Sequence, residues 1–281
     1  MHSYIDHLTG EPRLAAPHGR LAGRLLRDHC NGNDGGLFWK NQGHDHFLIF
    51  SITAYQMVGM MVKEFFMFIC QNCTVITIET SPTKTAIPGR TRKAWYAAPY
   101  PSSFHWYEGI QTLPWKLPDS KDHTNYPLRD ILVLFIGSKK PSQPNSRALR
   151  QTLFSQCKSE DRCIWHETAH ACNGVVNATN TMLLFRRAQY CPAPAGDSIT
   201  RKSIFDALVA GCVPVIFSRA TISQYSWHVS DKDIEDISVY IPMNDINEGG
   251  ANFIEVLKSI SPDQLLKKQE VSSFTFSLLQ F

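Results

Sequence analysis

The sequence predicts an α/β fold of open parallel sheets. Short apolar runs rich in β-branched residues alternate with stretches of helical spacing, and glycines fall where the helices and strands end. Near the carboxyl terminus a polar loop, a short helix, a glycine and a buried strand follow one another without interruption. Phe47 to Ser51 and Val75 to Glu79 read as strands around a helix from about Tyr55 to Ile69, which makes one βαβ unit. From Thr80 to Asp130 the chain is rich in Pro, Ser and Trp, with Pro99, Pro101, Pro114, Pro118 and Pro127 breaking regular structure. That stretch reads as a crossing between domains, so the expected division is 1–130 and 131–281. Ile131 to Ile136 is an apolar strand ending at Gly137, followed by a basic loop with Lys139 and Lys140 and a helix from Ser146 to Cys157. Cys163 to His166 reads as a strand, Thr179 to Arg187 as a helix, Val239 to Ile241 as a strand, and Ala251 to Ile260 and Pro262 to Phe276 as closing helices.

Composition fits a folded domain and excludes several classes. The 281 residues are 43% hydrophobic, enough for a sizeable core. A net charge of +3 is too small to argue for nucleic acid, though it is compatible with a mildly basic cleft. No apolar run reaches the length of a membrane span; the best candidate, Ile52 to Cys70, is interrupted by Lys63 and Glu64 and reads as a buried amphipathic helix. Met1 to Arg27 has no apolar core of the signal-peptide kind. No Walker-type phosphate loop is present in the sequence.

Tyr190 to Phe217 carries the most chemistry. Pro192, Pro194 and Gly196 keep the start irregular, and Asp197, Ser198 and Thr200 are residue types that cap a helix start. Arg201 and Lys202 then place two cations where the helix dipole is already positive, which suggests an anion opposite them. Ile204, Phe205, Leu208 and Val209 fall at helical spacing, and Gly211 suits the left-handed residue that ends a helix. Asp206 is the polar exception, and its side chain could take ribose hydroxyls if it faces the same cleft as the phosphate loop. Cys212 to Phe217 reads as a buried parallel strand, with Pro214 near its start or on an edge and Cys212 a small buried hydrophobe. The alternative for Arg201, Lys202 and Asp206 is a solvated helix face.

This segment resembles the signature of the exostosin family of glycosyltransferases, in its plant and algal, xyloglucan galactosyltransferase-like form. Gly196, Asp197, Ser198, Thr200, Arg201, Ser203, Phe205, Asp206, Leu208, Ala210, Gly211, Cys212, Pro214, Val215 and Phe217 stand at matching places, with Lys202 where the family has a second arginine. Leu37 to Phe50, with Trp39, Gly43, Asp45, His46 and Phe47, is similar to a segment of the family's first half. Pro99 to His105 resembles its P-Y-P-S-x-F-H loop. Ser51 to Tyr55 does not match the element the family carries there.

The resemblance implies a GT-B architecture, two Rossmann-like open parallel-sheet domains with an interdomain cleft, the N-terminal one incomplete. It implies an inverting transfer of a sugar from a UDP-sugar to a polysaccharide or glycan acceptor. Gly196, Asp197, Ser198, Thr200, Arg201 and Asp206 would bind the donor, with fixed positive charge in place of a metal and no other cofactor. Transfer also needs a base for the acceptor hydroxyl. His46 is the first choice and Asp45 the second, at the mouth of a strand in the first half. The alternative is a catalytically inactive partner subunit of an active transferase, and homo- or hetero-oligomers are expected in either case. Members of the family are typically anchored in the Golgi by one N-terminal span, so the expected setting is the Golgi lumen, with a fragment, a truncated gene model or a lost anchor behind the missing span.

Eight cysteines bear on the same point. In an oxidising lumen Cys157, Cys163, Cys172 and Cys191 could form two bridges; in a cytosol they would simply be thiols. Asn72 and Asn177 begin two glycosylation triplets. Cys70 and Cys73 have metal or redox spacing without a second ligand pair. Asp231-Lys232-Asp233 has the spacing of a metal-binding acidic motif and reads as a solvent-exposed turn.

Overall fold

The computed structural model describes residues 44–53, 73–80, 95–100, 129–138, 141, 143–167 and 178–278. The chain divides into two compact units, Met1–Pro99 and Tyr100–Phe281.

In the first unit β1 (Phe47–Thr53), β2 (Thr74–Glu79) and β3 (Trp95–Ala97) form a parallel sheet in the order β1-β2-β3. Burial alternates along β2, where Val75, Thr77 and Glu79 are covered, as the two-residue period of a strand with unlike faces requires. β3 lies inside the proline-rich stretch read as a crossing; Trp95 and Tyr96 are strand-forming aromatics, and Trp95, Tyr96 and Ala97 pair with β2. The helix expected between β1 and β2 falls outside the described residues.

The second unit holds a five-stranded sheet, β4 (Ile131–Ile136), β5 (Cys163–His166), β6 (Ala188–Pro192), β7 (Val213–Ile216) and β8 (Val239–Tyr240). Every pairing is parallel and the order is β5-β4-β6-β7-β8. The helices are α1 (Pro144–Cys157), α2 (Ala178–Arg187), α3 (Lys202–Val209), α4 (Ala220–Ser223), α5 (Asp231–Ile237), α6 (Met243–Asn247), α7 (Phe253–Lys258) and α8 (Pro262–Leu278). From β4 the chain steps outward to β5, then returns across β4 and proceeds through β6, β7 and β8. Right-handed crossovers therefore put α1 on one face and α2 and α3 on the other. One apolar cluster joins Leu149 and Leu153 of α1 and Phe253, Ile254 and Leu257 of α7 to Tyr190, Val213 and Val215. A second joins Met182 and Phe185 of α2 and Ala207 and Val209 of α3 to Leu134, Ala188 and Cys191. β4 is buried along nearly its whole length, which is why it reads as a continuous aliphatic run.

Gly211 ends α3 at φ 69. The Cys212 N–H donates to Ala207 O at 2.9 Å and the Gly211 N–H to Leu208 O at 3.0 Å, the paired bonds of a Schellman motif. Pro214 lies in an interior strand rather than at an edge. β8 joins β7 only from Val215 onward, so the missing N–H of Pro214 falls before that ladder begins.

The cysteine pairing differs from the expected set. Cys157 bonds to Cys163, and Cys191 bonds to Cys212, the residue read as a buried hydrophobe. β6 and the start of β7 are adjacent strands, and the Cα atoms of Cys191 and Cys212 lie 6.0 Å apart, within bridging range. Cys73 is also disulfide-bonded. Cys172, Asn72 and Asn177 lie outside the described residues. Among the described residues no helix is long and apolar enough to cross a membrane.

Candidate functional site

The strand order reverses direction between β4 and β6, so the connections leave those two strands toward opposite edges. The crevice beyond the carboxyl ends of strands at such a switch point is the usual binding position of an open α/β sheet. Gly137 and Ser138 follow β4 on one side of it, and Ala193 to Gly196 follow β6 on the other. Two arginines occupy this place.

Arg201 immediately precedes α3, in an extended conformation with φ −147 and ψ 139. Its guanidinium fits between two glycines. A Cβ on Gly196 would stand 2.7 Å from Arg201 Nη1, and one on Gly137 would stand 3.1 Å from Arg201 Nη2. Arg201 Nε is buried and donates to no acceptor. A buried charged donor without an acceptor is costly, and an anion is the kind of group that would satisfy it. Desolvation holds the guanidinium below the ordinary arginine range, while Tyr100 and Asp197 pull it back up. Tyr100, the first residue of the second unit, also stacks on Phe205 of α3 with ring centroids 6.1 Å apart.

Arg150, on α1, was not singled out by its sequence position. It is 1% exposed and among the largest fully buried side chains. Its Nε donates to Ala195 O at 3.1 Å, its Nη2 to Pro194 O at 3.1 Å, and its Nη1 to Ser138 O. Burial pushes its pKa down to about 9; neighbouring Arg201 adds to that effect and Asp197 opposes it. Among the described residues the exposed Asp197 carboxylate acts on both of these like charges, raising the pKa of each.

The sequence candidates separate into those at the crevice and those turned elsewhere. Gly196, Asp197 and Arg201 come together there. The expected capping of α3 is corrected: its N-cap is Arg201, with no side-chain cap bond. Thr200 is buried, and its hydroxyl pairs with the Tyr225 hydroxyl at 3.1 Å. Ser198 contributes its carbonyl, which accepts from the Gly196 N–H at 2.9 Å and closes the loop's turn. Thr221 of α4 donates to Ile199 O at 2.9 Å, so α4 and Tyr225 hold the loop from below. Both carboxylate oxygens of Asp206 accept from Lys202 Nζ, at 2.8 and 2.6 Å, one helical turn away. Lys202, expected to serve an anion, is thus neutralised by the residue expected to serve a ribose.

Asp45 and His46 stand before β1, at the amino end of the first sheet. His46 Nδ1 lies 2.7 Å from Asp45 Oδ1, and His46 O accepts from the Thr74 N–H at 3.0 Å. The two candidates for the base thus precede their strand, whereas ligands commonly meet such sheets at the carboxyl ends of the strands. At that end the described group is Glu79, the last residue of β2 and 4% exposed. Asp233 of the acidic motif is the N3 residue of a capping box on α5: it accepts from the Ser230 N–H at 3.1 Å, and its own N–H donates to Ser230 Oγ at 3.2 Å. The motif thus opens a helix, where a turn was expected. Lys139 and Lys140 lie outside the described residues.

Fold and site together define a doubly wound α/β unit with a cationic crevice at its switch point. The chain belongs to the exostosin family: the model of the Exostosin GT47 domain matches residues 7–260. It is 35% identical over 200 residues to a probable xyloglucan galactosyltransferase of Arabidopsis thaliana, covering 69% of this chain and 33% of that protein. A second probable xyloglucan galactosyltransferase from the same plant is 30% identical over 251 residues, 83% of this chain and 48% of the relative. The xyloglucan-specific galacturonosyltransferase 1 of Arabidopsis thaliana is 35% identical over 185 residues, 64% of this chain and 26% of that protein. The chain therefore spans between about a quarter and a half of the length of these curated relatives.

Proposed function

We propose that the chain carries the donor-binding part of an inverting, GT-B type glycosyltransferase that moves a sugar from a UDP-sugar to a hydroxyl of a polysaccharide or glycan. The observation that carries this reading is the buried Arg201 guanidinium, with its Nε unsatisfied, at the switch point between β4 and β6. In such a transfer the acceptor oxygen bonds to the anomeric carbon, the bond from that carbon to the diphosphate breaks, and the electron pair leaves on the diphosphate. Fixed guanidinium charge beside the departing oxygens stabilises that charge where it develops. Arg201 and Arg150 supply it, so the reading includes no metal. Relatives named as xyloglucan galactosyltransferases support a galactose-like donor and a xyloglucan-like acceptor.

Asp206 reaches the ribose in this reading only by exchanging Lys202 for the ligand. For the base, Glu79, a buried carboxylate at the carboxyl end of the middle strand of the first sheet, joins His46 and Asp45 as a candidate. Two disulfides in the second unit support an oxidising compartment such as the Golgi lumen.

The test is calorimetric titration with UDP and with UDP-galactose. Wild type binds both, and Arg201→Ala loses about 10–100-fold in affinity, the loss of one or two charged hydrogen bonds. Absence of UDP binding to the wild type removes the reading.

A further inference from the structure

Arg150 and Arg201 sit at one crevice with opposite hydrogen-bond accounts. Arg150 donates from Nε, Nη1 and Nη2 to three backbone carbonyls, Ala195, Ser138 and Pro194. Ser138 belongs to the loop after β4, and Pro194 and Ala195 to the loop after β6. One side chain therefore ties together the two loops that flank the crevice. A planar fork of fixed geometry suits that task, whereas a lysine presents a single ammonium. Arg201 receives none of these carbonyls, although its guanidinium lies within a methyl's breadth of both Gly137 and Gly196.

We propose that Arg150 is a positioning residue for the anion site: by occupying the loop carbonyls it fixes Gly137 and Gly196 on either side of Arg201 and leaves the Arg201 donors to phosphate oxygens. The proposal rests on the reading that this crevice takes a nucleoside diphosphate. It assigns the two arginines different work. Arg150 shapes the crevice, Arg201 meets the ligand, and the space between them is kept by the absence of a Cβ at position 196, which would lie 3.2 Å from Arg150 Nη2 and 2.7 Å from Arg201 Nη1. It also explains why a fully buried guanidinium is spent on loop carbonyls at sequence distances of 12, 44 and 45 residues when nothing in its own helix requires it.

The experiment titrates the full chain, as wild type, Arg150→Lys, Arg150→Gln and Gly196→Ala, with inorganic pyrophosphate, UDP and uridine, alongside thermal melts without ligand. All three variants are expected to lose at least about tenfold in affinity for pyrophosphate and for UDP. Uridine affinity stays within about twofold, because uridine has no phosphate to misplace. Arg150→Lys fails to rescue, since charge without the fork does not hold both loops. Wild-type pyrophosphate affinity in Arg150→Lys or Arg150→Gln overturns the proposal, and so does equal loss of uridine and pyrophosphate, which is the mark of a merely structural residue. If the Arg150 variants do not fold, Gly196→Ala decides: it keeps both arginines and crowds Arg201 Nη1 at 2.7 Å more closely than Arg150 Nη2 at 3.2 Å, and unchanged pyrophosphate binding there overturns the proposal. A wild type that binds pyrophosphate but not UDP leaves the clasp standing and removes the nucleotide-sugar reading; a wild type that binds neither removes both.

Discussion

Arg129 closes the carboxyl end of α3 by lying against Gly211. Arg129 Nη2 donates to Ala210 O at 3.0 Å, and a Cβ on Gly211 would stand only 2.7 Å from that nitrogen. The same guanidinium reaches back to Ala188 O at 2.5 Å, so it joins the end of α3 to the start of β6. Burial lowers its pKa to about 10, with Arg186 adding to the effect. Gly211→Ala meets two penalties at once, a left-handed backbone worth about 1–2 kcal/mol and the displacement of Arg129. The expected result is a melting temperature lower by roughly 4 °C or more, measured by circular dichroism. An unchanged melt contradicts this account of the Schellman turn.

Arg201 lowers the pKa of Arg150, and an anion bound beside the two is expected to relieve that repulsion. Sulfate keeps its charge across the working pH range, so it serves as a probe of the crevice alone. Millimolar sulfate is expected to raise the melting temperature of the wild type by a few degrees and to leave that of Arg201→Ala unmoved, as mass action on a folded-state site requires. Equal stabilisation of both proteins places the sulfate effect elsewhere.

Substituting His46 and Glu79 distinguishes the two ends of the first sheet. His46→Ala removes the contact with Asp45 before β1, and it is expected to change turnover by no more than a few-fold. Glu79→Gln is expected to lower kcat by about 100-fold or more while leaving UDP affinity intact, the pattern of a lost proton acceptor. The reverse ranking, measured with a UDP-sugar and a xyloglucan oligosaccharide, returns the base to His46.

Acid sensitivity has a defined source at the far end of the second unit. Glu160 Oε2 lies 2.6 Å from Lys258 Nζ, and that hydrogen bond is the main reason the Glu160 carboxyl sits below its ordinary range, against an opposing desolvation. A depressed carboxyl stabilises the folded chain at pH values above its unfolded pKa. The contribution fades as pH falls through the lower folded value. Denaturant midpoints taken between pH 6 and pH 3 are expected to fall less steeply in Glu160→Gln than in wild type; parallel slopes would show that the pair does not couple to folding.

Local features of the sequence were enough to read the loop, helix and strand from Tyr190 to Phe217. The apolar spacing of α3 and the stop at Gly211 lie within a few residues of what they determine, and so does the charge of Arg201. Arg150 was invisible for the converse reason. On the sequence it is one basic residue in an amphipathic helix, and its role exists only when β4 and β6 bring three distant carbonyls to it. Lys202 and Asp206 show a third case. Their spacing of four residues on one helix permits an ion pair, but that its carboxylate partner is buried while Lys202 stays partly exposed is decided by packing. Cys212 was read by its strand and Cys191 by its loop, and only the β6–β7 pairing reveals that they are neighbours.

That bond gives the anion crevice a property the unfolded chain shares. Cys191 and Cys212 are 21 residues apart, and Gly196, Asp197, Arg201 and Asp206 all lie between them. Under oxidising conditions the ligand-facing segment is a covalent macrocycle, and closing a loop of this size removes about 3 kcal/mol of freedom from the denatured ensemble. A protease cut anywhere inside the ring leaves one molecule of unchanged mass apart from a water. The two pieces part only when a reductant opens the bridge, so whether a nick in the binding loop separates the chain is set by the redox state of its surroundings.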